Sequence, residues 1–225
     1  MADRNTFWHF GDSFCFGNTP YTDSSFGWYL AEKFNTNYLL KGVSGNNNHM
    51  IFSDMLQNDS NFKQNDIIFI NWSFFHRGWY VDDNGLIQST NKFFNENKNE
   101  RINNDATSSH FLEKYEFILD YTLNYSHDSN IKLFNGMVNP YISSLYDRGI
   151  KVYSLFIRGS ESLRHGNTII KNTEYNINPK GTIEFNPSYF YWLASKGWKN
   201  EEDCHYTRGI QKELAHEIYL KIQDL

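Results

Sequence analysis

Near the start of the chain, a serine hydroxyl follows an apolar, aromatic run and a glycine, in Thr6-Phe7-Trp8-His9-Phe10-Gly11-Asp12-Ser13. An unassisted serine is a poor nucleophile at neutral pH and requires a base within hydrogen-bond reach. The opposite end of the chain supplies one in Glu202-Asp203-Cys204-His205, just ahead of an amphipathic run to Leu225. Among the eight histidines, His205 has the best claim, because it follows an acid and sits in a loop before a final helix. For His9, His49, His76, His110, His127, His165 and His216 a structural role is the default. Either Asp203 or Glu202 could fix the tautomer of the His205 imidazole. Hydroxyl, imidazole and carboxylate together are the parts of nucleophilic acyl transfer. Locally, though, a strand-to-loop turn capped by Ser13 reads the same way.

The elements around these residues must bring them together. A strand over Thr6–Phe10 that stops at Gly11 delivers Ser13 to the carboxyl edge of a sheet, where open α/β folds bind ligands. A helix starting just after Ser13 points free backbone N–H groups at a developing oxyanion. Phe26, Leu30 and Phe34 recur at helical spacing behind a Ser24 or Ser25 cap. A short strand follows over residues 37–41. The turn Gly42-Val43-Ser44-Gly45 then leads into an apolar-periodic stretch through Leu56. Asp66-Ile67-Ile68-Phe69-Ile70-Asn71 is a continuous apolar run and predicts a buried strand. Helical spacing recurs over residues 110–125, then over 131–147, where Pro140 should bend or restart the helix. Gly149 ends that helix and a strand follows over 151–157. Residues 158–185 are irregular, with room for a hairpin. A short helix over 187–196 and a last one marked by Leu214, Ile218 and Ile222 complete the pattern. Strands alternating with helices predict an α/β domain. Residues 79–109 are polar and weakly periodic, an insertion overhanging the site within one domain spanning 1–225.

A Gly-Asp-Ser after the first strand, with an acid and a histidine ahead of the last helix, resembles the SGNH (GDSL) hydrolase family. The resemblance implies a flavodoxin-like three-layer α/β/α sandwich with a mostly parallel sheet. It implies Ser13 as nucleophile, His205 as its base and an acid orienting the base. The family's usual spacing is Asp-x-x-His, a register that Glu202 occupies. Related sequences with Asp-x-His and a glycine four residues on are similar to this segment and favour Asp203. A glycine after the second strand lends its N–H to the family's oxyanion hole alongside the nucleophile's own. Gly45 matches that place, although a Gly/Asn turn with no chemistry fits it too. The family's Gly-x-Asn-Asp motif is absent. In its place stand Trp72, Ser73 and Arg77, similar to a branch that includes members in phage genomes. Ser73 is then the nearest third oxyanion donor, with Asn71, His76 and Arg77 as alternatives. Trp72 and Arg77 are expected to border the substrate. Asp12, also placed beside the substrate, is expected to cap N–H groups of the Ser13 turn.

Composition narrows the field further. A net charge of -5 and a pI near 5.9 argue against a nucleic-acid groove or an anionic membrane surface. No apolar run has the length of a membrane span, and residues 1–5 lack the apolar segment of a signal peptide. A cytoplasmic location is therefore expected, or a virion-associated one if the chain is viral, as its Asn- and Lys-rich composition suggests. Cys15 and Cys204 flank the two ends of the site, and packing explains them better than a disulfide. No cluster has zinc-site spacing, so neither metal nor cofactor is implied. Aromatic residues make up 18% of the chain, a surplus that suits sugar stacking as well as a core. The expected activity is hydrolysis of a small acyl ester, with an O-acetylated glycan as substrate. The rival is a non-catalytic carbohydrate-binding or structural virion protein on the same fold.

Overall fold

In a computed structural model, the described residues are 4–15, 25–73, 79–81, 87–89, 128–156, 163–165, 168–170, 177–185, 189–197 and 208–225. In chain order they form β1 (Thr6–Phe10), α1 (Phe26–Phe34), β2 (Asn37–Leu40), α2 (Asn48–Asn58) and β3 (Ile67–Trp72). Two short strands follow, β4 (Trp79–Val81) and β5 (Ile87–Ser89), then α3 (Asp128–Asp147) and β6 (Lys151–Phe156). The chain closes with β7 (Leu163–His165), β8 (Thr168–Ile170), β9 (Thr182–Ile183), α4 (Tyr189–Ser195) and α5 (Arg208–Gln223).

Five strands make one parallel sheet in the order β2-β1-β3-β6-β9. Side chains alternate across it, as the two-residue period of a strand requires. Phe7 of β1 and Ile67 and Phe69 of β3 pack against Leu30 of α1, Leu193 of α4 and Leu214 and Ile218 of α5. Trp8, Phe10, Ile68, Ile70 and Trp72 face the other way, onto Ile51 and Met55 of α2 and Phe134 and Val138 of α3. The sheet thus lies between two helical layers, the three-layer arrangement that the resemblance implied. All six residues of β3 are buried, which is why that strand reads as an unbroken apolar run.

The strand order puts a topological switch between β1 and β3. From β1 the chain steps out to β2, then crosses back over β1 to reach β3. Connections leave this point in opposite directions, opening a crevice at the carboxyl ends of the strands. At the opposite edge, the buried Asp66 carboxylate accepts from the Thr6 N–H (2.8 Å), the Trp8 indole N–H (2.9 Å) and the Lys63 N–H (3.0 Å). Those bonds set the register of β1 against β3.

Ser25 is the cap of α1, its hydroxyl accepting from the Trp28 N–H at 3.2 Å. Of the bend or restart expected at Pro140 the restart does not occur, and α3 passes through it as one helix. Pro140 and Gly136 lie on the exposed side, so water can take the carbonyl that the proline leaves unpaired. Strands β4 and β5 pair antiparallel, Trp79 against Ser89 and Val81 against Ile87. The hairpin expected between 158 and 185 is β7–β8. The helix expected over 110–125 lies outside the described residues.

Candidate active site

After β1 the chain must turn sharply, and the two residues before Ser13 make this possible. A Cβ at Gly11 would overlap Cys15 Sγ and come within 2.8 Å of the Asn71 carbonyl oxygen, so only glycine fits. Asp12 is fully buried, and its Oδ1 accepts from the Phe14 N–H at 3.0 Å. Its carbonyl accepts from the Cys15 N–H at 3.0 Å, closing the 3-10 turn Ser13–Cys15. Ser13 stands half-buried on the first residue of that turn.

The loop after β2 is laced to this turn. Lys41 N–H donates to the His9 carbonyl at 2.8 Å, and Val43 N–H to the Gly11 carbonyl at 3.1 Å. Gly42 sits so close that a Cβ there would lie 3.0 Å from Cys15 Cβ and 3.4 Å from the Asp12 carbonyl oxygen. Gly45 has φ +82°, a left-handed conformation that favours glycine. The three asparagines that follow divide the work. Asn46 donates to Asp54 Oδ2 at 3.0 Å, Asn47 caps α2 by accepting from the Met50 N–H at 3.0 Å, and Asn48 Oδ1 accepts from the Ser73 N–H at 2.7 Å.

Ser73, at the end of β3, closes the crevice. Its hydroxyl donates to Asp12 Oδ2 at 2.7 Å while its N–H is held by Asn48. Both donors expected to serve an oxyanion are engaged by buried protein acceptors. Ser73 therefore braces the Asp12 turn in this structure. Asp12 caps the turn as expected, and its fully buried carboxylate is held on both oxygens, by Phe14 and by Ser73. Trp72 is also fully buried, donating from its indole N–H to Ser154 Oγ at 3.2 Å and stacking on Phe156. It belongs to the core under α3, not to the pocket wall, because the alternation of β3 turns it to that face. Asn71 faces the opposite side, beside the Cys15 sulfur, and its amide atoms have no well-aligned hydrogen-bond partner among the described residues.

Burial sets the electrostatics. The Cys15 thiol is pushed well above its ordinary pKa by desolvation and then by the Asp12 charge, so it stays protonated and inert beside Ser13. His9, fully buried beneath the turn, has its pKa lowered to about 3 by desolvation. It remains a neutral ring, with Nδ1 3.0 Å from the Tyr38 hydroxyl.

His205, Asp203, Glu202 and Arg77 lie outside the described residues. Helix α5 starts at Arg208, three residues beyond His205. It packs against α1, with Lys33 Nζ 3.4 Å from His216 Nδ1 and Phe34 against Tyr219. Between these helices runs an open groove of about 550 Å³, lined by Trp28, Tyr29, Glu32, Gly209 and Lys212. The rings of Trp28 and Tyr29 meet edge to face there, with centroids 5.0 Å apart. Among the described residues no group of three or more His, Cys, Asp or Glu side chains could hold a metal ion. No described helix is long and apolar enough to cross a membrane.

Ser13 follows β1 and Gly45 follows β2, as the sequence pattern placed them, whereas Asn48 and Gly42 were overlooked. The run Asn46-Asn47-Asn48 was the available signal, since only one of three adjacent asparagines can be the cap.

No family model matches the sequence, and neither does any curated protein. Solved structures do. A protein of Parabacteroides merdae ATCC 43184 described as a GDSL-like lipase is similar over 98% of this chain and 96% of its own, at 11% identity and a TM-score of 0.51. The psychrotrophic esterase EstA of Pseudoalteromonas sp., in a form inhibited by monoethylphosphonate, is similar over 98% and 97%, at 10% identity and a TM-score of 0.51.

Proposed function

From the SGNH (GDSL) hydrolase fold that the chain shares with these structures, we propose that it is a serine esterase acting on small acyl esters. The observation that carries this reading is the clamp on Asp12, which holds the Ser13 turn at the switch point between β1 and β3. A fold alone does not assign an activity; a nucleophile held at its ligand-binding edge argues for one.

In the proposed reaction Ser13 Oγ bonds to the acyl carbon while His205 takes its proton and Asp203 keeps the imidazole in the right tautomer. The N–H groups of Ser13 and Gly45 receive the oxyanion. The Ser73 donors are turned inward, which leaves Asn71, His76 and Arg77 as the alternatives for a third donor. His205 then protonates the leaving alkoxide. Water, activated by the same imidazole, releases the acyl group from Ser13 as the carboxylic acid.

The substrate we infer is an O-acetylated carbohydrate. The α1–α5 groove supports it: two aromatic rings offer apolar faces to sugar C–H groups, and Glu32 and Lys212 offer hydroxyl partners. Fluorophosphonate labelling tests the activity, a reagent class suggested by the phosphonate inhibition of EstA. Wild type should be labelled and should hydrolyse p-nitrophenyl acetate, whereas Ser13→Ala should do neither and unfold at an unchanged temperature. A chain that takes no label is a binding or structural protein. For the substrate, Trp28→Ala should raise KM for an O-acetylated polysaccharide and leave p-nitrophenyl acetate turnover intact. Equal loss on both substrates would separate the groove from glycan binding.

A further inference from the structure

The turn that carries Gly45 is closed by one backbone bond, from the Asn46 N–H to the Val43 carbonyl at 3.1 Å. Gly45 has φ +82° and Ser44 a negative φ, the pattern of a type II turn. Such a turn uses the N–H of its last residue and leaves that of its third free. Among the described residues the Gly45 N–H donates to no backbone carbonyl. Both ends of the turn are tied down. Val43 N–H donates to the Gly11 carbonyl at 3.1 Å, two residues before Ser13. Asn46, 2% exposed, donates from Nδ2 to Asp54 Oδ2 of α2 at 3.0 Å.

Helix capping does not explain the bond between Asn46 and Asp54. The start of α2 is already served by Asn47, which accepts from the Met50 N–H, and Asn48 is committed to the Ser73 N–H. Asp54 stands in the second turn of α2, past the first N–H groups that lack acceptors within a helix. Its carboxylate is half-buried, where desolvation raises its pKa, and the Asn46 bond and the Lys41 charge oppose that rise. The donor it takes belongs to the residue next to Gly45. Ile51 and Met55 seat α2 on Trp8 and Phe10 of β1, the strand that ends at the Ser13 turn. Asp54 thus ties the Gly45 turn to the same strand that carries the nucleophile. Resting on the esterase reading above, we propose that Asp54 is a positioning residue for the Gly45 N–H, acting through Asn46.

The test uses the full chain, with kcat and KM for p-nitrophenyl acetate measured separately beside the rate of fluorophosphonate labelling. Losing one oxyanion donor outright costs on the order of 10²–10³ in kcat, so misplacing it in Asp54→Ala should cost at least about tenfold. The labelling rate should fall with kcat, and KM should stay within about twofold. Asp54→Asn keeps a carbonyl oxygen for Asn46 and should retain most of both rates. Asn46→Asp alone sets two carboxylates together and should lose as much as Asp54→Ala. Combining Asn46→Asp with Asp54→Asn reverses donor and acceptor and should recover most of that loss. If Asp54→Ala fails to fold, Asn46→Asp against the double exchange decides the matter by the same readouts. Wild-type kcat and labelling in folded Asp54→Ala, with only the unfolding temperature lowered, would reduce the bond to a structural clip and overturn the proposal. A double exchange no faster than Asn46→Asp would overturn it too. A wild-type chain that takes no label would instead overturn the esterase reading, and this inference with it.

Discussion

Ser73 Oγ and Asp12 Oδ2 stand 2.7 Å apart across the crevice between β1 and β3, both buried. The bond joins the turn that carries Ser13 to the strand where the family's third oxyanion donor was expected. A carboxylate with no access to water needs donors for each oxygen, and Phe14 N–H and Ser73 O–H supply them. The geometry of Ser13 is thus maintained from a strand more than fifty residues away.

Removing this brace should act on stability and rate together. Ser73→Ala leaves Asp12 Oδ2 without that donor, a loss of about 1–3 kcal/mol. The loosened turn should lower kcat by about tenfold, roughly 1.4 kcal/mol, with KM little changed. Ser73→Thr, which keeps the hydroxyl, should recover most of the rate. Urea melts and steady-state kinetics on the same preparations check both, and an unaltered midpoint in Ser73→Ala would refute the brace.

The acid beside His205 is decided by a pair of isosteric changes. Asp203→Asn should lower kcat/KM by on the order of 10²–10⁴, because the imidazole loses the partner that selects its tautomer. Glu202→Gln should cost less than about threefold if Asp203 has the role. The reverse order of the two rates would give the role to Glu202.

Two glycine-to-alanine changes in helices should move stability in opposite directions. A Cβ at Gly27 of α1 would overlap His9 Nδ1, and that ring cannot retreat because it packs against Phe26 and Phe69. Gly27→Ala should destabilise by about 1–3 kcal/mol even though alanine is the better helix former. At Gly136 of α3 a Cβ meets nothing within 4 Å, so Gly136→Ala should stabilise by about 0.5–1 kcal/mol. Denaturant midpoints of the two variants measured side by side test the contrast.

His9 makes stability depend on pH in a predictable direction. Its folded pKa of about 3 lies below the ordinary histidine value of 6.5, so below pH 6.5 the unfolded chain binds a proton that the native protein excludes. This contribution is complete above about pH 6.5 and is lost as pH falls toward 3, by up to about 1.4 kcal/mol per pH unit. His9→Gln should flatten the pH dependence of unfolding between 6.5 and 4 relative to wild type. An identical slope in both proteins would show that the ring takes up its proton inside the fold.

Local pattern was enough to place the strands and the short-range chemistry. The apolar run of β3, the helical spacing of Phe26, Leu30 and Phe34, and the Gly-Asp-Ser at a strand end all depend on neighbours in sequence. Their physical consequences are visible within a few residues. From them the α/β class, a serine cap at Ser24 or Ser25 and the position of Ser13 at the carboxyl edge were legible.

Everything that turned on which face a residue occupies, or on a partner far along the chain, awaited the tertiary structure. Trp72 and Ser73 are adjacent, yet the strand's alternation sends the indole into the core under α3. The end of β3 leaves the serine beside Asp12. Asn48 and Gln211 carry no local motif, because each satisfies a backbone N–H that sequence places 25 and 185 residues away. Sequence alone named Ser13 as the hydroxyl to hold. Only the packing of β3, α2 and α5 around the switch point determined that Asp12, Ser73 and Asn48 hold its turn, since buried polar groups must find their partners wherever the fold brings them.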